Sequence, residues 1–460
     1  MTTNNKVSLQ FLGAAGTVTG SKHLLKTPSL NLMIDCGLFQ GLKALRLMNW
    51  EPLGIDVPSI RAVILTHAHL DHCGFLPLLG RQGFNGKIYC TAPTRDLTEI
   101  ILRDSAKIQE EDAANANKYG YTKHKPAIPL YTEKDVEIIL PMLTVTDTDT
   151  IVQLNADIAF RFFTNGHILG SAFVEVTCYQ KKLLFSGDLG RPASTLLREP
   201  TKPSKVDFVI MESTYGDRLH PEISTEDQLC DVIVDTAHQK GNLLIPSFAV
   251  GRAQELMHLL NVLKKNNRIP NLPVYMDSPM GADATSILKK YPAWHKLTED
   301  ECNSLFNDVT IIRKFEDTVK VVNQPGPKII IAASGMLTGG RVLYYLEKYL
   351  QNRRNSILFT GYQSEGTRGR TMLSGAHEIK IHGAYLPVRM KVYSLTAMSG
   401  HADQKEMIGW LSNITSAPQK VFLVHGENSA REAMRVKLES TFSWNVVLPK
   451  LSEELELFSI

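Results

Sequence analysis

The stretch Thr66-His67-Ala68-His69-Leu70-Asp71-His72 decides the reading of this chain. It follows the apolar run Ala62–Thr66, which predicts a short strand. The cluster therefore falls on the turn at the C-terminal end of that strand. If the backbone stays extended, positions 67, 69 and 71 project to one side, and His72 opens the next element. Imidazole nitrogens and a carboxylate suit Zn²⁺ or Mn²⁺ at about 2.0–2.2 Å. One ordinary zinc site does not draw so many ligands from one segment, so the excess predicts two neighbouring ions. The competing reading is a polar loop whose histidines cap backbone groups. For an isolated histidine that reading would win. Gathering these groups without a cation is costly, which decides against it here.

Other candidate ligands also follow predicted strands. His167, in Thr164-Asn-Gly-His167, follows Ala159–Phe163. Asp188, in Ser186-Gly-Asp188-Leu-Gly190, follows Lys182–Phe185. His425, in Leu423-Val-His425-Gly426, ends Lys420–Val424. Each alone reads as a structural histidine or a turn-forming aspartate. They gain force only beside the first cluster.

Working outward, the first 210 residues or so read as strand after strand. Val7–Leu12, His23–Lys26, Leu30–Asp35, Lys87–Thr91, Ala159–Phe163, Ala172–Cys178 and Lys182–Ser186 carry the pattern, with one long helix predicted over Asp96–Asn117. This predicts stacked sheets with helices outside, an αββα layering. After residue 207 short apolar strands each lead into an amphipathic helix: Asn242–Pro246 into Gly251–Lys265, Pro273–Asp277 into Gly281–Tyr291, and Lys328–Ala333 into Gly340–Leu350. Such repetition predicts a parallel, doubly wound sheet. Alternation resumes near Val388–Tyr393, with further strands at Lys420–Val424 and Val446–Leu448. The expected organisation is one domain interrupted by another: residues 1–207, an insertion over 208–386, and a return over 387–460.

Composition excludes several classes. Hydrophobic residues make up 43% and charged residues 21%, which rules out a mostly disordered chain. The formal net charge of +3 rules out a histone-like polymer binder, while leaving room for a local basic groove. No apolar run is long enough to span a bilayer, and Met1–Gln10 lacks the pattern of a secretory signal. Six scattered cysteines without a CxxC fit reduced, buried thiols. The expected location is the cytoplasm, with no membrane partner.

With the HxHxDH cluster, His167, Asp188 and His425 in place, the chain resembles the metallo-β-lactamase superfamily. Three later motifs resemble those of its β-CASP nuclease branch: Met211-Glu212-Ser213-Thr214 (motif A, Glu212), Ser399-Gly-His401-Ala-Asp403 (motif B, His401) and Leu423-Val-His425-Gly426 (motif C). The resemblance covers nearly the whole chain. It implies an αββα sandwich interrupted by a parallel-sheet, Rossmann-like β-CASP domain. It implies that His67, His69 and His167 bind one metal, that Asp71, His72 and His425 bind a second, and that Asp188 bridges them. Asp35, in Met33-Ile-Asp-Cys-Gly37, matches an aspartate that supports the ligands by hydrogen bonding. No ligand position is missing, so a degenerate metal-free relative is not expected.

The predicted insertion carries glycine-rich turns at strand ends. Ser334-Gly335-Met-Leu-Thr338-Gly-Gly-Arg341 follows one strand, Gly361–Arg370 follows the next with Arg368 and Arg370, and Arg252 ends Ser247-Phe-Ala-Val-Gly-Arg252. Backbone N–H groups at such turns and arginine forks suit a phosphate. Ser334, Gly335, Thr338, Arg341, Arg252, Arg368 and Arg370 are therefore the candidate phosphate-binding residues. Phe248 and Tyr362 offer a stacking face or a packing role.

The expected function is metal-dependent hydrolysis of RNA phosphodiester bonds, as endonuclease, 5′-exonuclease or both. Two cations, Zn²⁺ ahead of Mn²⁺, would lower the pKa of a shared water. Asp71, His401 and Glu212 are the expected catalytic side chains, with His401 held by Glu212 and acting on the leaving oxygen. RNA, single-stranded, rather than DNA rests on the resemblance, since RNA-acting members carry His at motif C. The plan resembles bacterial and archaeal relatives of the messenger-RNA 3′-end cleavage endonuclease and of RNase J. The alternatives are a DNA nuclease, a lactonase or thioesterase, and a non-catalytic RNA-binding scaffold. Trp410 and Trp444 read as core residues ahead of homodimer anchors.

Overall fold

The computed structural model of the chain describes residues 5–120, 122–395 and 398–460. The first four residues of the opening stretch lie outside these. The chain divides into two units. One comprises residues 1–194, 198–219 and 401–460; the other comprises 195–197 and 220–400.

The first unit is built on two seven-stranded sheets. In the first sheet the strands run in the order Glu454–Ser459, Lys6–Phe11, His23–Lys26, Asn31–Ile34, Ile60–Ile64, Lys87–Cys90 and Leu143–Val145. In the second the order is Val446–Val447, Lys420–Val424, Phe208–Glu212, Lys181–Phe185, Ala172–Cys178, Ile158–Thr164 and Val152–Gln153. Each sheet is antiparallel at one side and parallel at the other. Period-two alternation explains the packing. Val7, Leu9 and Phe11 of one sheet share a core with Phe160, Phe162, Val174, Val176 and Phe185 of the other.

The intervening residues of the second sheet face helices. Phe173, Leu184, Val209 and Met211 pack with Met407, Trp410 and Leu411 of helix Gln404–Leu411, and with Met434 and Leu438 of helix Asn428–Phe442. Trp410 and Trp444 are both buried in this core. The long helix spans Ala92–Tyr119. Thr91 caps its start by accepting from Thr94 N–H, and Gly120 ends it in the left-handed region. The αββα layering follows from these alternations.

The second unit holds a six-stranded, wholly parallel sheet in the order Thr310–Ile312, Val274–Asp277, Ile329–Ala332, Leu243–Pro246, Ser356–Phe359 and Lys391–Ser394. Its four inner strands are buried at every position, as both-faced burial requires. The hairpin Glu378–Ile381/Ala384–Pro387 stands apart from that sheet.

Two features depart from the sequence reading. Strand Phe208–Glu212, which that reading placed inside 208–386, pairs with Lys181–Phe185 and Lys420–Val424 in the first unit. The chain leaves the first unit after residue 219 and returns at 401, not at 387. Strand Lys391–Ser394 pairs in parallel with Ser356–Phe359 and so belongs to the second unit. Alternation reports a strand but not its partner.

Candidate metal centre

The first unit gathers every expected ligand at strand ends. The 67–72 turn follows Ile60–Ile64, His167 follows Ile158–Thr164, Asp188 follows Lys181–Phe185, and His425 follows Lys420–Val424. His67, His69, His167 and Asp188 offer one set of mutually close donor atoms, and Asp71, His72 and His425 offer another.

The spacing is that of a coordination shell. His69 Nδ1 lies 3.2 Å from both His67 Nε2 and His167 Nε2. Asp188 Oδ2 lies 3.5 Å from the same two nitrogens. Donors around a tetrahedral ion with bonds of about 2.0–2.1 Å are about 3.3–3.4 Å apart. In the second set His72 Nε2 lies 3.3 Å from His425 Nε2 and 3.2 Å from Asp188 Oδ1, and His425 Nε2 lies 3.3 Å from Asp71 Oδ2. One carboxylate thus presents an oxygen to each set.

Hydrogen bonds behind the candidate ligands engage their Nδ1 atoms. Asp35 accepts from Thr66 N–H at 2.8 Å and from the Thr66 hydroxyl at 2.8 Å. Having given its hydrogen to Asp35, Thr66 Oγ1 accepts from His67 Nδ1 at 3.1 Å. His72 Nδ1 donates to Asp35 Oδ2 at 2.8 Å. Thr214 Oγ1 lies 3.1 Å from both His425 O and His425 Nδ1. Donating to the carbonyl, it accepts from the ring. The Nε2 atoms of these three imidazoles face one another and the carboxylates of Asp71 and Asp188, a convergence that a cation would resolve. Asp188 Oδ1 is buried with no hydrogen-bond partner among the described residues, which fits the same conclusion.

Electrostatics agree. Burial drives His67 and His167 below the ordinary imidazole range and His69 to about 3, so all three are neutral. Burial alone would raise Asp71 and Asp188, but the surrounding imidazoles override it and keep both ionised. Burial would also lower His72, yet Asp188 and Asp35 carry it well above the usual value. Without a metal those carboxylates hold a proton on His72; a divalent ion is the alternative positive charge.

Behind Asp188, Glu212 is fully buried and accepts from Leu189 N–H at 2.5 Å. His401 Nδ1 donates to its two oxygens at 3.1 and 3.2 Å. Burial would lower the His401 imidazole, but the Glu212 carboxylate carries it up to about 9. The His401 ring lies 4.5 Å from that of His167.

Sequence reasoning missed Asn165 as a support. Its side-chain amide donates to Ser186 O at 3.0 Å and Asp188 O at 2.8 Å, binding the His167 turn to the Asp188 turn. The signal was its place in Thr164-Asn-Gly-His167. The residues expected to bind phosphate lie in the second unit. Arg341 donates to the buried Asp277 carboxylate and to Arg313 O, at 2.6 Å for the latter. Arg368 donates to Lys380 O at 2.7 Å and Leu337 O at 2.9 Å. Arg252 pairs with Glu255. Ser334 Oγ accepts from the N–H groups of Thr338 and Gly339 at 3.1 and 3.2 Å. Gly335 packs so close to Phe248 that a Cβ would lie 2.9 Å from its nitrogen. Arg370 is exposed.

Fold and site together define a metal-dependent hydrolase. Residues 21–228 match the metallo-beta-lactamase superfamily, residues 253–372 the Beta-Casp domain, and residues 385–449 the Zn-dependent metallo-hydrolase RNA specificity domain. The chain belongs to the metallo-beta-lactamase superfamily, in its Beta-Casp branch. It is 36% identical over 425 residues to Ribonuclease TTHA0252 of Thermus thermophilus, spanning 90% of this chain and 92% of that protein. It is 35% identical over 442 residues to the transcription termination factor FttA of Methanocaldococcus jannaschii, spanning 92% of this chain and 67% of FttA. An RNase J-like protein of the same organism is 32% identical over 426 residues, spanning 92% and 93%. The fold implies divalent metal binding. No helix among the described residues is long and apolar enough to cross a membrane.

Proposed function

We propose that the chain hydrolyses phosphodiester bonds of single-stranded RNA, cutting internally, from the 5′ end, or both. The observation that carries this is the convergence of seven side chains into two donor sets sharing Asp188. His67, His69 and His167 would hold one ion, and Asp71, His72 and His425 the other. Donors of nitrogen and oxygen without thiolate favour zinc, with manganese as the second choice. When bound, such ions supply Lewis acidity that acidifies water and neutralises phosphate oxygens.

The chain's own residues do the rest. Asp35 and Thr66 keep the ligand lone pairs aimed inward. Glu212 holds the His401 proton at Nδ1, so Nε2 is the atom that donates to the leaving oxygen. The relatives named as ribonucleases and the RNA specificity match support RNA as substrate. Elemental analysis of the purified chain, followed by assays on 5′- and 3′-labelled RNA and on matched DNA, tests this reading. Two zinc ions per chain and RNA cleavage are expected. A single ion, or turnover of DNA or a small ester in preference to RNA, would overturn it.

A further inference from the structure

Lys22 is a charged side chain that the hydrolytic chemistry does not use. It is 1% exposed and pairs with no carboxylate among the described residues. Its ammonium donates to Gly37 O at 2.6 Å and lies 4.3 Å from the ring centre of Phe39 and 5.1 Å from that of Phe75. Burial pulls its pKa down to about 8. Two aromatic faces offset part of the desolvation cost. A methionine of similar length would fill the space without that cost, so the ammonium needs a reason.

The backbone around it supplies one. Three segments are stitched together here. Ser21 N–H donates to Asp71 O at 2.7 Å, Gly37 N–H to Ser21 O at 2.9 Å, Cys36 N–H to His72 O at 2.7 Å, and Leu38 N–H to Leu70 O at 2.9 Å. Gly37 presses on the turn so closely that a Cβ there would lie 1.6 Å from Asp71 O. Two residues before Gly37, Asp35 orients His72. The Lys22–Gly37 bond ties segment 35–38 to the residue just before strand His23–Lys26, beside a second side-chain bond from Thr19 Oγ1 to Leu38 O at 3.0 Å.

We propose that Lys22 is a positioning residue for the ion held by Asp71, His72 and His425, acting through Gly37 on the Asp71–His72 turn. The inference rests on the two-ion reading of the site. It also fixes a sign. A buried positive charge acting only through space would repel a divalent ion, so its removal would tighten binding. A positioning tie predicts weaker binding on removal.

The test titrates Zn²⁺ into the metal-free full chain by chelator competition, resolving two affinities. Lys22→Met should weaken one of the two ions by about tenfold or more, in the range seen for supports behind metal ligands, and leave the other unchanged. Phe39→Leu keeps the Lys22–Gly37 bond and should lower the melting temperature while leaving both zinc affinities unchanged. Unchanged or tighter zinc binding in Lys22→Met would overturn the proposal, as would equal weakening in Phe39→Leu. If Lys22→Met does not fold, Lys22→Leu, which likewise has no donor for Gly37 O, carries the same expectation and the same refutation. Two ions in the wild-type chain with no loss in the Lys22 variant would defeat this inference alone. Fewer than two in the wild-type chain would defeat the functional reading with it.

Discussion

The two units treat their polar side chains in opposite ways. In the first, imidazole and carboxylate donors point at one another, 3.2–3.5 Å apart, with their protons used on the far side. In the second, arginines that look like phosphate ligands in sequence spend their N–H groups on their own unit. Arg341 serves Asp277, and Arg368 serves Lys380 O and Leu337 O. Buried polar groups in folded proteins find partners. A convergence of imidazole nitrogens and carboxylate oxygens therefore suits a cation, whereas a satisfied guanidinium serves the fold.

The most severe break in this contrast is Asp188→Ala. It removes the carboxylate shared by both donor sets, so metal content should fall from two ions to one or none and RNA cleavage should disappear. Elemental analysis with an end-labelled assay reads both, and a variant retaining two tightly bound ions would erase the distinction between the units. Next comes His401→Ala. It should keep both ions yet lose about 10²–10⁴-fold in turnover, the range of a positioned proton donor. Loss of metal with activity would make His401 a ligand support instead.

The second unit offers the complementary tests. Arg341→Ala leaves the buried Asp277 carboxylate with Tyr345 and Thr318 as its only side-chain donors among the described residues, both neutral hydroxyls. It should destabilise the protein by about 3–5 kcal/mol in denaturant unfolding, because an uncompensated buried charge remains. Metal content should stay at the wild-type value. The smallest effect is expected at Arg370, which is exposed and has no side-chain bond to any described residue. Arg370→Ala should leave the melting temperature unchanged and raise KM for RNA several-fold, as loss of one phosphate contact does. An unchanged KM would remove it from the RNA path.

Legibility in the sequence followed the range of the forces involved. His67, His69, Asp71 and His72 were readable because they are neighbours along the chain, and their crowding has one inexpensive explanation. His167, Asp188 and His425 were readable as candidates at strand ends, and Glu212 and His401 only through motifs resembling those of the Beta-Casp branch. Asn165 and Lys22 were not, because their significance lies in which carbonyls they reach. Strand Lys391–Ser394 was visible as alternation, yet its parallel partner Ser356–Phe359 was not. Strand Glu454–Ser459, which pairs with Lys6–Phe11 from the far end of the chain, went unread altogether.

By itself the sequence determined the layered architecture, the interruption of one unit by another, and the kind of atoms offered to a metal. Period-two and helical patterning act over a few residues, and ligand chemistry belongs to the side chain alone. Tertiary structure alone decided that Asp188 faces both donor sets, that Thr66 must accept from His67, and that Arg341 is engaged by Asp277. Those outcomes depend on distances near 3 Å between residues far apart in the chain. Only the packed fold, in which every buried donor must find an acceptor, selects among them.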